Sequence, residues 1–270
     1  MERIMGEVVR VAVNGATGRM GRVLVDLLRR DRRFDLVAAI TAADAQEMGA
    51  PVAHGSQLRF THDWASVPAL DVVIDFSGPE GLQAALQHCL DSGAALVVGT
   101  TGVGDAVEQR LAHAAGHIAL LRSANFSLGV AVLSRLLRQA AAALAEWDLE
   151  ILEAHHNRKE DAPSGTALLL GEAAAAGRGV TLGEQAVFAR EGRTGPRKPG
   201  EIGFAVIRGG DIVGEHAAML IGHGERLELA HRATDRGIFA RGAIEAAHWL
   251  AGKPPGSYDL DAMLAERSGG

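Results

Sequence analysis

The 270-residue chain contains one cysteine, Cys89, so an intrachain disulfide bond is excluded and a reducing compartment is expected. Aromatic residues make up only 4% of the sequence, and we therefore expect a core of alanine, valine, leucine and isoleucine. No run of about 18 apolar residues occurs, because Glu172 interrupts the longest candidate. Residues 1–13 also lack the apolar centre of a signal peptide. These absences predict a cytoplasmic protein without a membrane span.

Positive charge is not in excess either, since 27 Lys and Arg residues stand against 33 Asp and Glu residues and the formal net charge is −6. We expect no broad basic face, which argues against nucleic acid as a partner. Charged residues (22%) and apolar residues (47%) are balanced as in globular proteins. The length suffices for one large domain or two medium domains.

In the first half of the chain, short β-branched segments alternate with segments of helical period. This β-α-β-α order predicts an α/β fold with a Rossmann-like, doubly wound parallel sheet. The predicted strands span 8–13, 36–40, 71–76, 94–98 and 118–121, and the predicted helices span 20–30, 82–90 and 106–115.

The pattern changes after residue 126. A long Ala/Leu helix, a strand and a second helix are followed by an irregular basic loop and then by several strand-like segments, which predicts an α+β domain with an antiparallel or mixed sheet. A last helix precedes a tail rich in glycine and proline. The predicted helices span 128–147, 166–176 and 239–250, the strands span 148–154, 202–208, 212–216, 219–221 and 226–233, and the loop spans 190–200.

A glycine-rich turn, Gly15-Ala-Thr-Gly18-Arg-Met-Gly21, connects the first predicted strand to the first predicted helix. Glycine allows the backbone to approach a pyrophosphate closely, and a helix N-terminus presents N–H groups and a positive dipole end. The spacing differs from G-x-G-x-x-G, so a plain strand-to-helix turn is the alternative to a dinucleotide site.

The neighbouring strand ends should face the same crevice. Phe76-Ser77 and Gly99-Thr100-Thr101 occupy two of these ends, with ordinary turns as the alternative. At the tip of the second strand, near Thr41, neither an acid for the ribose hydroxyls nor a basic residue for a 2′-phosphate is present. Asp44, further along the chain, is a candidate acid, and Thr41 can bond a hydroxyl or a phosphate. Arg19 can lie near a 2′-phosphate, so the choice between NADH and NADPH stays open.

The segment from Glu153 to Thr166, Glu-Ala-His-His-Asn-Arg-Lys-Glu-Asp-Ala-Pro-Ser-Gly-Thr, concentrates groups that transfer protons and bind anions. Adjacent side chains on an extended chain point to opposite faces, so His155 and His156 are expected to have different roles. An imidazole with a pKa near about 6.5 can transfer a proton at neutral pH. Lys159 can bind a carboxylate or donate a proton.

Ser164 is a candidate N-cap for the helix that follows, and the N–H groups of Gly165 and Thr166 can then hold a second carboxylate. This arrangement suits a small dicarboxylate. The alternatives are a solvated charged loop and a zinc site, the latter disfavoured because no cysteine or third histidine stands at a suitable spacing. Ser164 also lacks the elbow pattern of a hydrolase nucleophile. No metal is predicted.

Together these segments resemble the dihydrodipicolinate reductase family of the lysine and diaminopimelate pathway. The resemblance runs nearly end to end, and the string His-His-x-x-Lys-x-Asp-Ala-Pro-Ser-Gly-Thr is its most specific part. The segments that carry it are 13–21 (Val-Asn-Gly-Ala-Thr-Gly-Arg-Met-Gly), 73–77 (Val-Ile-Asp-Phe-Ser), 99–102 (Gly-Thr-Thr-Gly), 124–127 (Ala-Asn-Phe-Ser), 153–166 and 210–216 (Gly-Asp-Ile-Val-Gly-Glu-His).

The resemblance implies NADPH- or NADH-dependent reduction of a dihydrodipicolinate-type cyclic imine to tetrahydrodipicolinate. His155 would be the catalytic acid/base, Lys159 a second proton donor that also holds a substrate carboxylate, and His156, Gly165 and Thr166 substrate ligands. Contacts to the cofactor would come from Gly15, Ala16, Thr17, Gly18, Arg19, Met20, Gly21, Thr41, Phe76, Gly99, Thr100, Thr101, Ser123, Ala124, Asn125 and Phe126.

The resemblance also implies a homotetramer assembled through the substrate-domain sheets. The dinucleotide-binding domain would comprise residues 1–127 and 236–270, and the substrate-binding and oligomerisation domain residues 128–235. Members of the family often carry an acid, sometimes followed by Arg, where this chain has Thr41-Ala42. The alternative functions are a related two-domain dehydrogenase of another amino or imino acid and a nucleotide sensor that turns nothing over.

Overall fold

The structure is a computed structural model that describes residues 7–267 and residue 269. The chain divides into two compact units, of which the second spans Ser127–Arg236 and the first holds the described residues on either side of it. The first unit contains strands β1 (Val9–Asn14), β2 (Phe34–Ile40), β3 (Phe60–Thr61), β4 (Val72–Asp75), β5 (Ala95–Val98) and β6 (Ala119–Arg122), helices α1 (Arg19–Leu28), α2 (Pro79–Ser92) and α3 (Asp105–Ala114), and a 3₁₀ turn (Trp64–Ser66).

The second unit follows with helices α4 (Leu128–Ala143), α5 (Gly165–Arg178) and α6 (Leu182–Gln185) and strands β7 (Asp148–His155), β8 (Ala186–Val187), β9 (Ile202–Arg208), β10 (Gly214–Ile221) and β11 (Arg226–Ala233). The chain then returns to the first unit through α7 (Gly237–Leu250), β12 (Gly256–Tyr258) and α8 (Leu260–Arg267).

The sheet of the first unit has seven parallel strands in the order β12-β6-β5-β4-β1-β2-β3. From β1 the chain runs outward to β2 and β3 and then crosses back to β4, which lies on the other side of β1. The direction of winding therefore reverses between β1 and β4. In doubly wound sheets this reversal opens a crevice at the carboxyl ends of the strands, where nucleotides bind. The predicted parallel sheet is thereby confirmed.

The central strands of the first unit are mostly apolar because both faces of the sheet are covered. The strands β4 and β5 are buried at every position, which is the pattern of a central parallel strand rather than of an alternating one. On one face, Leu82 and Leu86 of α2 and Leu111 of α3 pack in one cluster with side chains of the sheet. Cys89 is fully buried in the same cluster, as its place on the apolar side of a helix predicts.

The second unit has a mixed five-stranded sheet in the order β11-β10-β7-β9-β8, with β7 at its centre. β7 pairs antiparallel with β10 and parallel with β9. Helices α4 and α5 pack against each other and against one face of this sheet, where Leu137, Leu170 and Ile151 belong to one buried cluster. This arrangement confirms the predicted α+β fold with a mixed sheet.

Several elements differ from the sequence-based predictions. The segments 212–216 and 219–221 form one strand, β10, because Ala217 and Ala218 continue the alternation of buried and half-buried positions. Helix α4 ends at Ala143 rather than at residue 147, since Leu144 leaves the helical region with φ −119° and ψ 45°. The glycine- and proline-rich tail contains β12 and α8, which are too short for a periodic pattern to stand out. Among the described helices, none is long and apolar enough to cross a membrane.

Candidate active site

The predicted catalytic segment begins where the central strand of the second unit ends. β7 ends at His155, and α5 begins at Gly165 with Ser164 as its N-cap. The Ser164 hydroxyl accepts a hydrogen bond from the N–H of Ala167 at 3.2 Å, as the sequence predicts for a capping serine. The loop between strand and helix therefore has two fixed ends. His155, His156, Lys159, Gly165 and Thr166, all predicted site residues, lie on this loop or at its ends.

A buried carboxylate lies beneath the loop. Glu153 is 1% exposed and receives four hydrogen bonds. The guanidinium of Arg208 donates to both of its oxygens at 2.7 and 2.8 Å, His155 Nδ1 lies 2.7 Å from Oε2, and the N–H of Ser164 donates to Oε1 at 3.0 Å. Burial acts to raise the pKa of Glu153, but the bonds from Arg208, His155 and Ser164 outweigh it and hold that pKa below its usual value.

The other predicted groups of the loop are partly accessible. The ammonium of Lys159 lies 2.7 and 2.8 Å from the two carboxylate oxygens of Asp161, and this contact lowers the pKa of Asp161. His156 Nδ1 accepts a hydrogen bond from the N–H of Arg158 at 3.2 Å. Desolvation and the positive charges of Arg236 and Arg158 lower the pKa of His156, which favours the neutral form of this imidazole.

One histidine in this cluster has no predicted role. His216 on β10 is 5% exposed, its Nε2 lies 3.0 Å from the Ser164 hydroxyl oxygen, and its ring meets that of His155 edge-on with 5.2 Å between centroids. Burial, together with the nearby charge of His155, lowers the pKa of His216 to about 4. In the sequence, the one sign of a role for His216 is its place in the segment Gly-Asp-Ile-Val-Gly-Glu-His. Its position beside the loop follows only from the β7–β10 register, which pairs His216 with Glu153.

In the first unit the turn from Gly15 to Gly21, the glycine cradle, packs so closely against neighbouring backbone atoms that side chains would not fit at Gly15 and Gly21. A Cβ on Gly15, which has φ +78°, would lie 2.5 Å from the carbonyl oxygen of Phe76, and a Cβ on Gly21 would overlap the carbonyl oxygen of Gly15. Gly18 caps α1 without a side-chain hydrogen bond, so no side chain blocks the amides of its first turn. This geometry fits a pyrophosphate, which needs close backbone approach and amide donors.

The tip of β2 is joined to this turn. The hydroxyl oxygens of Thr17 and Thr41 are 2.6 Å apart, so one hydroxyl donates to the other. Arg22 donates to the carbonyl oxygen of Thr17 at 2.9 Å and pairs with Glu47. Arg19 is exposed in the first turn of α1. The structure thus brings Thr41 next to the glycine turn, with uncharged groups at the position where an acid would select NADH.

A second buried carboxylate connects the strand ends of the first unit. Asp75, at the end of β4, accepts hydrogen bonds from Asn14 Nδ2, the Ser77 hydroxyl and the Thr100 hydroxyl, each at 2.6 Å. Burial raises the pKa of Asp75, although these three donors oppose the effect. The ends of β1, β4 and β5 are thereby held together at the winding reversal.

The remaining predicted cofactor residues lie at the ends of β4, β5 and β6. Phe76 packs against Gly99, where a Cβ would overlap its ring, and against the buried Phe126 with 5.5 Å between ring centroids. The Ser123 hydroxyl donates to the carbonyl oxygen of Asn125 at 2.7 Å. An open pocket of about 290 Å³ is lined by Val98, Thr100, Thr101, Gly102, Arg122, Ser123 and Ala124. Between residues 7 and 267, no group of three or more His, Cys, Asp or Glu side chains is placed to hold a metal ion.

The first unit has a parallel sheet with the glycine cradle at its winding reversal, and the second is an α+β unit with a histidine–lysine loop. Together these features define the class of two-unit dinucleotide-dependent oxidoreductases. Two family models cover most of the chain: "Dihydrodipicolinate reductase, N-terminus" matches residues 9–126 and "Dihydrodipicolinate reductase, C-terminus" matches residues 129–264. The chain belongs to the dihydrodipicolinate reductase family, as its motifs predict.

Curated relatives agree with this assignment. A protein of Caulobacter vibrioides named 4-hydroxy-tetrahydrodipicolinate reductase is 49% identical over 263 residues, which cover 96% of this chain and 98% of the relative. Proteins of the same name from Cereibacter sphaeroides and Alkalilimnicola ehrlichii are 47% and 46% identical over 267 residues, covering 96% and 94% of this chain and 99% and 98% of theirs. These relatives confirm the prediction of an NAD(P)H-dependent oxidoreductase of lysine and diaminopimelate biosynthesis and favour neither alternative.

Solved structures show the same fold. Dipicolinate-bound dihydrodipicolinate reductase from Paenisporosarcina sp. TG-14 superposes with a TM-score of 0.75 at 22% identity, over 94% of this chain and 98% of that one. An amine dehydrogenase from Mycobacterium smegmatis has a TM-score of 0.56 at 13% identity, over 95% and 96% of the two chains. At these identities the similarity concerns the fold alone.

Proposed function

We propose that the protein reduces the dihydrodipicolinate-type cyclic imine, formed from 4-hydroxy-tetrahydrodipicolinate, to tetrahydrodipicolinate. One observation carries the proposal: a single loop of the second unit holds His155 and Lys159 and leads into the N-terminus of α5. Two proton donors and a helix N-terminus suit a ring that bears two carboxylates and gains a proton. Relatives that match this chain over nearly its full length carry the name of that reaction.

The first unit binds the coenzyme in this proposal. The glycine cradle from Gly15 to Gly21 holds the pyrophosphate, and Thr41 lies on the side of the adenine ribose. When bound, NADPH or NADH supplies a hydride to C4 of the ring. The proposed coenzyme ligands at the other strand ends are Phe76, Gly99, Thr100, Thr101, Ser123, Ala124, Asn125 and Phe126.

The second unit supplies the substrate ligands and the proton. Lys159 and the first turn of α5, at Gly165 and Thr166, hold the two carboxylates, and His156 provides a neutral hydrogen-bonding group beside them. Anchoring both carboxylates fixes which face of the ring receives the hydride. His155 or Lys159 then delivers the proton to C3, which completes the reduction of the double bond. Lys159 must exchange its contact with Asp161 for the substrate carboxylate.

The test is NAD(P)H oxidation with freshly generated synthase product as substrate. We expect turnover by the wild type and a loss in kcat/KM of about 10² to 10⁴-fold in His155→Ala and in Lys159→Ala, the range of general acid–base catalysis. Near-normal kcat/KM in either variant would remove its assigned role. Coenzyme binding without any turnover would indicate a nucleotide sensor, and turnover only with another amino or imino acid would indicate a related dehydrogenase. Running the assay with NADH and with NADPH decides the preference.

We further propose that residues 1–127 and 236–270 form the dinucleotide-binding domain and residues 128–235 the substrate-binding and oligomerisation domain of a cytoplasmic homotetramer. Val206, Ile207 and Leu227, on strands β9 and β11, are exposed in the isolated chain by 38%, 47% and 38%, and burial of such side chains favours association. Sedimentation is expected to give four times the 28.2 kDa chain mass, and Ile207→Asp to reduce it. A monomeric wild type would contradict the tetramer.

A further inference from the structure

We infer that Glu153 is a positioning residue for His155: with Arg208 it fixes the ring so that Nδ1 carries a hydrogen and Nε2 is the atom that exchanges the proton. This inference rests on the proposed function in one respect only, the identity of the reaction in which His155 takes part. The orientation of the ring follows from contacts within the second unit.

The position of Glu153 along β7 is the first argument. Leu149, Ile151 and Glu153 are alternate residues of one strand, and all three are buried. Period-two alternation therefore places a carboxylate where the strand otherwise presents apolar side chains to the core. Burying a charge costs free energy unless it is fully paired, so a buried glutamate on the central strand is expected to have a specific role.

The hydrogen bonds of Glu153 are the second argument. A carboxylate has about four acceptor positions, and Arg208 takes one on each oxygen, Ser164 one on Oε1 and His155 one on Oε2. Because an ionised carboxylate accepts hydrogen bonds and cannot donate them, the bond to His155 requires a hydrogen on Nδ1. In the neutral ring Nε2 then has the free lone pair, and in the charged ring Nε2 carries the transferable proton.

Arg208 makes this arrangement rigid. Its guanidinium also donates to the carbonyl oxygen of Asp161 at 2.7 Å, so one side chain joins the carboxylate to the loop that carries Lys159. Arg208 stands opposite His155 in the β7–β9 register. The bidentate pair balances most of the charge of Glu153, so we expect Glu153 to act mainly by orienting the ring and less by stabilising its positive form.

The surroundings of His155 complete the geometry. The charged or titratable groups that face it are Glu153 on its own strand, Arg208 on β9, His216 on β10 and Lys159 on the loop. On the Nε2 side, Gly214 begins β10, and a Cβ at Gly214 would lie 3.1 Å from Nε2. The absence of a side chain there leaves room next to the atom that we assign to proton exchange.

Two measurements test the inference. The first is the ¹⁵N spectrum of His155 in the wild type without substrate, where we expect the neutral ring to carry its hydrogen on Nδ1. The second is a comparison of Glu153→Gln with Glu150→Gln. Glu150 lies on the same strand and, like Glu153, forms ion pairs with arginine. Its partners are Arg190 and Arg197, away from His155.

A glutamine at 153 has one acceptor oxygen, and whichever way the amide is turned its NH₂ group faces an Arg208 N–H and either Ser164 or His155, so the set of four hydrogen bonds that fixes the ring is broken. We expect kcat of Glu153→Gln to fall by about 10- to 100-fold with KM changed by less than about threefold, the size of effect typical of outer-shell partners of a functional histidine. Glu150→Gln should keep the wild-type kcat. A hydrogen on Nε2 in the neutral wild-type ring, or wild-type kcat in Glu153→Gln, would overturn the inference.

The spectrum needs no variant and no substrate, so it decides the orientation even if Glu153→Gln does not fold. It also separates the two proposals. A wild type without turnover would refute the proposed reaction, whereas the position of the hydrogen on His155 would still support or refute the positioning role of Glu153.

Discussion

The hydroxyl oxygen of Ser164 lies 3.0 Å from Nε2 of His216, and this contact joins the N-cap of α5 to strand β10. Ser164 also donates its N–H to the buried Glu153, so one residue connects the helix N-terminus to both members of the β7–β10 pair. The first turn of α5, which we assign to a substrate carboxylate, therefore has its position set by buried groups of the sheet.

The buried His216 should make folding sensitive to acid. Its pKa is about 4 in the folded chain against an ordinary value of 6.5. Between these values His216 is protonated in the unfolded chain but not in the folded chain. The contribution of His216 to the free energy of unfolding is therefore present above pH 6.5 and is lost as the pH falls toward 4. The largest loss is on the order of 3 kcal/mol.

His216→Gln removes this titration and keeps an amide that can reach Ser164. We expect the urea unfolding midpoint of this variant to fall less than that of the wild type between about pH 7 and about pH 5. Over this range protonation of His216 lowers the free energy of unfolding of the wild type by an amount on the order of 2 kcal/mol. The difference between the two proteins removes the contributions that are common to both. Parallel midpoints of the two proteins over this range would show that His216 is not buried as a neutral ring.

The buried Asp75 should respond to pH in the opposite direction. Because burial raises its pKa, ionisation of Asp75 opposes folding, and stability is lost as the pH rises through that pKa. Asp75→Asn cannot ionise, so we expect its free energy of unfolding relative to the wild type to increase with pH. Asp75→Ala should cost about 1–3 kcal/mol at pH values below that pKa, because Asn14 and Thr100 lose a buried acceptor, and this cost should shrink as the pH rises. A constant difference between Asp75→Asn and the wild type would contradict the raised pKa.

The glycine cradle predicts a site where one methyl group is not tolerated. In Gly21→Ala the new Cβ would overlap the carbonyl oxygen of Gly15, so α1 and the turn must move apart. We expect a loss of about 1–3 kcal/mol in stability, as for other overpacked sites, and weaker NAD(P)H binding by fluorescence titration. Gly104→Ala is the control, since Gly104 is a glycine at the N-terminus of another helix of this unit, α3, and has open space around it. Equal binding by the two variants would argue against the cradle.

The space beside His155 predicts a variant that acts on the reaction rather than on the fold. Gly214→Ala places a methyl group 3.1 Å from Nε2, closer than ordinary van der Waals contact. We expect kcat to fall by about tenfold or more because proton transfer depends on positioning, with a thermal unfolding midpoint close to that of the wild type. Unchanged kcat together with unchanged stability would show that Nε2 is not the atom that exchanges the proton.

The sequence predicted the features that are local in the chain. The glycine turn and the histidine–lysine loop each lie within about one loop, and their βα context follows from hydrophobic period. Glu153, Arg208 and His216 received no role, because the contacts that define one join residues far apart in the chain. Arg208 reaches Glu153 across 55 positions, and His216 reaches the N-cap Ser164 across 52 positions. One local sign was present: Glu153 interrupts the apolar alternation of Leu149 and Ile151.

The most direct test of the account is a crystal structure of the protein with NAD(P)H and pyridine-2,6-dicarboxylate, a planar mimic of the substrate. We predict one carboxylate on Lys159, the other on the first turn of α5 at Gly165, and the coenzyme pyrophosphate against the turn from Gly15 to Gly21. A dicarboxylate bound away from residues 155–166, with these groups making no contact to it, would contradict the account.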